Sequence, residues 1–228
     1  MSEDPAQDVR ATDPRPALTP EDAFDALYAW AAPGLIHQIR LLTGRRGFAF
    51  EVVEHAFHLA WEHWPEVAVD NDPVGWVRAR AYDHALSPWH RLRPAFRRAE
   101  PAPADPVLRA LLDLPAPYRR VALLCDGLGL SVSQAAAETE ASTAATRNRL
   151  HRARSAVIEA VPELADDLDE LRKHLRALVN DGGTATIPSA RSTRTGSERR
   201  IRQLTRTVAV MTATLAAVIT YTAFVTAR

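Results

Sequence analysis

The stretch from Leu130 to Arg154, LSVSQAAAETEASTAATRNRLHRAR, constrains this chain more than any other. It predicts two helices with a tight connection. Ser131 is placed to cap the first, whose apolar face runs through Val132, Ala135 and Ala136. Ser142 is placed to cap the second, because its hydroxyl can accept a bond from an orphan backbone N–H one turn on. Ala145, Leu150, Ala153 and Val157 give that second helix one buried stripe. Its other face carries Thr143, Thr146, Arg147, Asn148, Arg149, Arg152 and Arg154. A short helix, a turn and a longer helix with a basic polar face make the pattern of a helix-turn-helix. In that motif the second helix enters the DNA major groove, with its first residues on base edges and its arginines on phosphates. A solvated helix pair within a bundle is the other reading of the same pattern.

The 228 residues carry no net charge, 28 basic against 28 acidic, so no global basic excess points to nucleic acid. The charge is segregated instead. Residues 1–25 and 163–170 are acidic, while residues 78–98 and 191–206 are basic, which suggests separate surfaces for separate partners. Cys125 is the single cysteine, which excludes an internal disulfide and a multi-cysteine zinc site. It sits in the apolar run VALLC and reads as a buried structural thiol. The first 18 residues are acidic and Pro-rich without an apolar core. They read as a disordered tail rather than a signal peptide, so the main body is expected in the cytoplasm.

A helix is predicted from Pro20, with Thr19 as its cap, an apolar face through Phe24, Leu35, Ile36, Ile39 and Leu42, and Pro33 as a point of kinking or division. Glu51 to Trp64 is the clearest amphipathic helix of the first half. Val52, Val53, Ala56, Phe57, Ala60 and Trp61 form its wide buried stripe, opposite Glu51, Glu54, His55, His58, Glu62 and His63. Glu and His on one helix raise a metal site, but the HExxH spacing is missing and no metal or other cofactor is expected. Asp72 and Pro73 start a third helix that Pro88 should end, with Trp76 and Val77 inward and Arg78, Tyr82 and Trp89 outward.

Apolar periodicity is lost over 94–106, which reads as a linker. A second helical domain, 107–161, contains the helix-turn-helix. An amphipathic helix at 162–180 carries Leu164, Leu168, Leu171, Leu175 and Leu178. A flexible basic linker covers 181–206. Residues 207–226, TVAVMTATLAAVITYTAFVT, are about twenty uncharged positions, the length that crosses a bilayer. Arg199, Arg200, Arg202 and Arg206 precede them, which predicts a single pass at the cytoplasmic face of the plasma membrane with the N-terminus inside.

The chain resembles a bacterial sigma factor of the extracytoplasmic-function type. The run LLDLPAPYRRVALLCDGLGLSVSQAAAETEASTAATRNRLHRARSAV is similar to that family's region 4, with the Arg149–Arg154 ending RLHRAR its most specific part. Residues 27–93 resemble region 2. There FEVVEHAFHLAWEHWPEV stands where the family grips the polymerase clamp, and DPVGWVRARAYDHAL where it opens promoter DNA. The resemblance implies an all-α fold of two small helical domains, 19–93 and 107–161, to which the tail segment adds a transmembrane helix.

It also implies a non-enzymatic role, lending promoter specificity to RNA polymerase core. The implied partners are promoter DNA, the core enzyme and an anti-sigma protein, with the membrane met through 207–226. The expected DNA-binding residues are Ser142, Thr143, Thr146, Arg147, Asn148, Arg149, Arg152 and Arg154. Those for promoter melting are Arg78, Tyr82 and Trp89, with Trp89 the best placed to stack on an unpaired base. Those for the polymerase are Glu51, Glu54, His55, His58 and Glu62. The chain departs from the family at Asp83, Ser87 and Pro88 in the melting helix and at Glu140, where the turn usually has glycine. The alternative is a membrane-anchored, sigma-like DNA-binding regulator or interaction protein that does not itself initiate transcription.

Overall fold

The structure, a computed structural model, describes residues 19–89, 100–164 and 167–181. The acidic tail, the linker residues 90–99, the basic segment from 182 on and the expected membrane span 207–226 lie outside the described residues. Among the described residues every regular element is helical, and no helix is long and apolar enough to cross a membrane.

Helix α1 spans Pro20–Thr43. Thr19 and Asp22 close a reciprocal capping box at its start, and Gly44 ends it in the left-handed conformation at φ 71°. Pro33 does not divide it. The helix runs unbroken because Ala31, Ala32, Leu35 and Ile36 on either side of the proline are buried, and tertiary packing outweighs one lost backbone bond. Helices α2 (Arg46–Glu62) and α4 (Pro73–Leu86) both pack on α1, joined through the single turn α3 (Trp64–Val67). Phe24 sits edge-on to Phe57, Trp61 and Trp64 at centroid distances of 5.0–6.0 Å, the favoured aromatic geometry. Asp72 caps α4 by accepting from the Gly75 N–H at 2.8 Å, and the helix stops at Leu86, just before Pro88.

The second group begins with α5 (Pro106–Asp113), capped by Asp105, and α6 (Ala116–Ala122). Helix α6 widens into a π-turn over Leu123–Gly127. Helices α7 (Val132–Glu138) and α8 (Thr143–Ala160) follow, and α8 packs against α5, α6 and α7. The final helix, α9 (Leu168–Asn180), starts at the Asp167 cap and lies against the π-turn and α1. Leu171 and Leu175 are its buried face. Burying each stabilises by about 1.5–3 kcal/mol.

The two helical groups share apolar packing. Val121, Leu123, Leu124, Cys125, Ala135 and Leu150 belong to the same buried cluster as the α1, α2 and α4 residues. A second cluster, with Leu111, Ala153, Val157, Leu171 and Leu175, fills the space beneath α5, α8 and α9.

Candidate nucleic-acid interface

The turn between α7 and α8 is built around Glu140. The Ala141 N–H reaches the Ala136 carbonyl at 3.0 Å and the Glu140 N–H the Ala137 carbonyl at 3.2 Å, the paired bonds of a Schellman cap. Such a cap needs a left-handed residue, and Glu140 adopts it at φ 49° despite its Cβ. Two further caps fix the helix starts. The Ser131 hydroxyl accepts from Gln134 N–H, with Gln134 reaching back to the Ser131 N–H at 2.9 Å, and the Ser142 hydroxyl accepts from Ala145 N–H at 3.1 Å. Both serines act as the sequence predicts.

The exposed face of α8 is narrower than the residue types suggest. Ser142, Thr143, Arg147, Asn148 and Arg152 are exposed and Arg149 is half-buried. His151, one turn beyond Arg147, is exposed on the same side, and its four-residue spacing from Arg147 could have marked it. No acidic residue sits in the first turn, so the positive end of the helix dipole is uncompensated there, as an anion-facing helix start requires.

Two residues expected at DNA face inward. Thr146 is fully buried, and its hydroxyl has no hydrogen-bond partner. It follows Ala145 toward the core because the buried stripe of α8 runs through Thr146, Leu150, Ala153 and Val157. Arg154 forms a fork with Asp126 of the π-turn, Nε to Oδ2 at 2.9 Å and Nη2 to Oδ1 at 2.6 Å. The Asp126 side chain is only 1 % exposed, and Arg172 of α9 approaches it at 3.5 Å. The hydrogen bond to Asp126 raises the Arg154 pKa, against the effect of burial. A buried carboxylate is tolerated only with such pairing, so Arg154 is a structural partner.

The first group shows a similar split. Arg78 and Tyr82, expected to point outward, are buried where α4 meets α6 and α7. Arg78 donates from Nε and Nη2 to the Glu138 carboxylate of α7, the shortest bond being 2.6 Å. Burial alone would lower the Arg78 pKa, but Glu138 outweighs it and the net direction is upward. Tyr82 donates to the Gln38 side-chain oxygen at 3.0 Å, and the Arg120 guanidinium lies 5.8 Å from its ring centroid. Burial raises the phenol pKa far above its ordinary value. Arg120 also pairs with Asp83 and donates to the Glu138 carbonyl. Trp89 does point outward, at 74 % exposed. Trp76 is half-buried under Arg80, whose guanidinium lies 5.2 Å from the ring.

On α2, Glu51, Glu54 and Glu62 are exposed. His55 and His58 are recessed. The His55 ring lies 4.2 Å from that of His84 on α4, and His58 approaches Glu54 one turn earlier at 3.7 Å. The outward face is therefore chiefly carboxylate, since the histidine rings turn toward neighbouring side chains. Among the described residues no cluster of His, Cys, Asp and Glu could hold a metal ion.

Residues 104–157 match the family described as Sigma-70, region 4. The match falls on the second helical group, which is therefore similar to a region 4 domain. The helical arrangement resembles that of a solved sigma factor over part of the chain. It is similar to the sigma factor RpoE of Bartonella quintana, solved in complex with the anti-sigma factor NepR, with a TM-score of 0.53 and 19 % identity. That likeness covers 63 % of this chain and 98 % of the other. No curated protein sequence matches the chain.

Proposed function

We propose that the chain is a sigma factor of the extracytoplasmic-function type that directs RNA polymerase core to specific promoters. The observation that carries this reading is the exposed Arg147–Asn148–His151–Arg152 face on α8, mounted on a capped helix start within a region 4 domain. Phosphate contacts from such arginines position the helix, and base edges are read by the shorter polar side chains near its start. The carboxylate face of α2 is the proposed clamp contact, and Trp89 the proposed stacking residue. An anti-sigma protein is a further proposed partner, as the RpoE relative is found with one.

Residues 207–226 form the proposed tether, anchoring the chain to the cytoplasmic face of the membrane. Full-length protein then resists salt and alkaline extraction, while a 1–180 fragment is soluble. Release by salt alone means that the arginines bind lipid headgroups and nothing spans.

The deciding experiment for the main reading is run-off transcription with purified core polymerase, using the full-length chain and residues 1–180. Promoter-directed transcripts are expected. The second reading, a sigma-like DNA-binding regulator, is favoured by the burial of Arg78 and Tyr82 within the melting helix. Promoter binding without transcripts from either form selects it.

A further inference from the structure

Helix α9 lies beyond the matched region 4 domain, which ends at residue 157, yet it touches both helical groups. Its C-terminal turn reaches α1, where the His37 ring nitrogen Nε2 lies 2.6 Å from the Leu178 carbonyl oxygen. Its middle meets α5, where His174 Nε2 lies 2.8 Å from the Asp105 carboxylate that caps that helix. Its inner face is seated on the π-turn. Gly127 allows this approach, since a Cβ there would stand 2.9 Å from Val179 Cγ2. Arg172 reaches the same buried Asp126 that holds Arg154 of α8. Thus one thirteen-residue helix is pinned to α1 in the first group and to α5, the π-turn and the α8 carboxylate anchor in the second.

We infer that α9 is an intramolecular clamp that holds the two helical groups closed and thereby keeps Arg78 and Tyr82 of α4 covered by α6 and α7. π-turns are rare and recur at functional sites, and this one supplies both the glycine seat and the aspartate anchor. The α8 face stays exposed in the closed form, so closure withholds α4 without blocking the DNA-reading helix. What closure withholds rests on the sigma-factor reading. The clamp itself rests only on the packing.

The test uses the full-length chain in mild detergent, with spin labels at Glu66→Cys on α3 and Ser155→Cys on α8 in a Cys125→Ala background. Gly127→Val wedges α9 off the π-turn, and Leu171→Asp with Leu175→Asp removes its apolar anchor. In both variants residues 168–180 are expected to lose amide protection by about tenfold or more. The label-to-label distance is expected to lengthen and broaden, while α2 and α8 stay protected. If the double variant unfolds, Gly127→Val decides.

An unchanged distance with 168–180 unprotected shows that the domains hold without α9 and overturns the clamp. Protection kept in both variants, or unfolding of both, shows α9 to be an inseparable part of the core and also overturns it. Run-off transcription on the same variants separates the two readings. A longer distance with no transcripts from any form leaves the clamp standing and removes the sigma reading, while transcripts that do not rise with the distance remove only the claim that closure withholds α4. A gain of transcripts in step with the distance supports both.

Discussion

Arg78 of α4 and Glu138 of α7 meet in a buried fork, with guanidinium-to-carboxylate bonds of 2.6–3.1 Å and side chains 9 % and 8 % exposed. This pair joins the first helical group to the helix-turn-helix. It is also the place where a residue of the proposed melting helix is spent on internal structure. Arg78→Ala leaves a buried carboxylate without its main partner and is expected to destabilise the chain by about 3–5 kcal/mol. Arg78→Met with Glu138→Leu together should recover most of that loss. Urea unfolding of the single and double variants measures the coupling, and additive losses would show the pair to be dispensable.

Arg147, Arg149 and Arg152 should behave unlike Arg154. Changing each of the first three to alanine is expected to weaken DNA binding for all sequences alike and to lower the salt slope by about one per lost phosphate contact. Arg154→Ala should instead lower stability, because Asp126 loses its forked partner in the core. Titrations of promoter and random duplexes at several salt concentrations, beside thermal melts, distinguish the two behaviours. Wild-type binding by the triple variant would remove α8 as the reader.

Reversing Glu51 and Glu54 to lysine is expected to abolish binding to core polymerase and leave the fold intact, since both residues are exposed on α2. A pull-down with core enzyme and a circular dichroism spectrum report the two halves. Undiminished capture would place the polymerase contact elsewhere.

Thr146→Val should stabilise the chain by about 1 kcal/mol. The substitution keeps the shape of the side chain and removes a fully buried hydroxyl that has no partner. A higher urea midpoint with an unchanged slope confirms this, and a lower one would mean the hydroxyl is satisfied.

Cys125 gives the chain a pH dependence in the alkaline range. Burial, helped by the Asp126 charge and opposed by Arg154, pushes its thiol up to about 11 from an ordinary value of 9. Below pH 9 the thiol is protonated in both folded and unfolded chains and adds no slope. As pH rises from 9 toward 11 the unfolded chain ionises first, so the folded state loses stability across that window. Melting temperatures measured through this range should fall more steeply for the native chain than for Cys125→Ala, and equal slopes would remove the effect.

Local chemistry was readable from the sequence because it depends on near neighbours. The caps at Thr19, Asp72, Ser131 and Ser142 each join a side chain to a backbone N–H three residues on, and all four form as the residue types predict. The left-handed turn at Glu140 was expected from the resemblance instead, since the family usually has glycine at that position. The exposure of Arg147, Asn148 and Arg152 on α8 followed from helical spacing alone.

Tertiary structure decided what spacing cannot carry. Thr146 and Arg154 lie on the border of the α8 stripe, where a rotation of one residue moves a side chain from solvent to core. Only the positions of α6, α7 and the π-turn fix that rotation. Arg78 and Tyr82 read as outward on an isolated helix, yet α6 and α7 arrive from about forty to sixty residues away and bury them. The 94–106 stretch predicts independent domains by its loss of periodicity. The shared core forms because apolar faces left over on both sides of that stretch find each other, and α9 covers the remaining seam. Amphipathicity specifies that a face will be buried, while the partner that buries it is set by the whole chain.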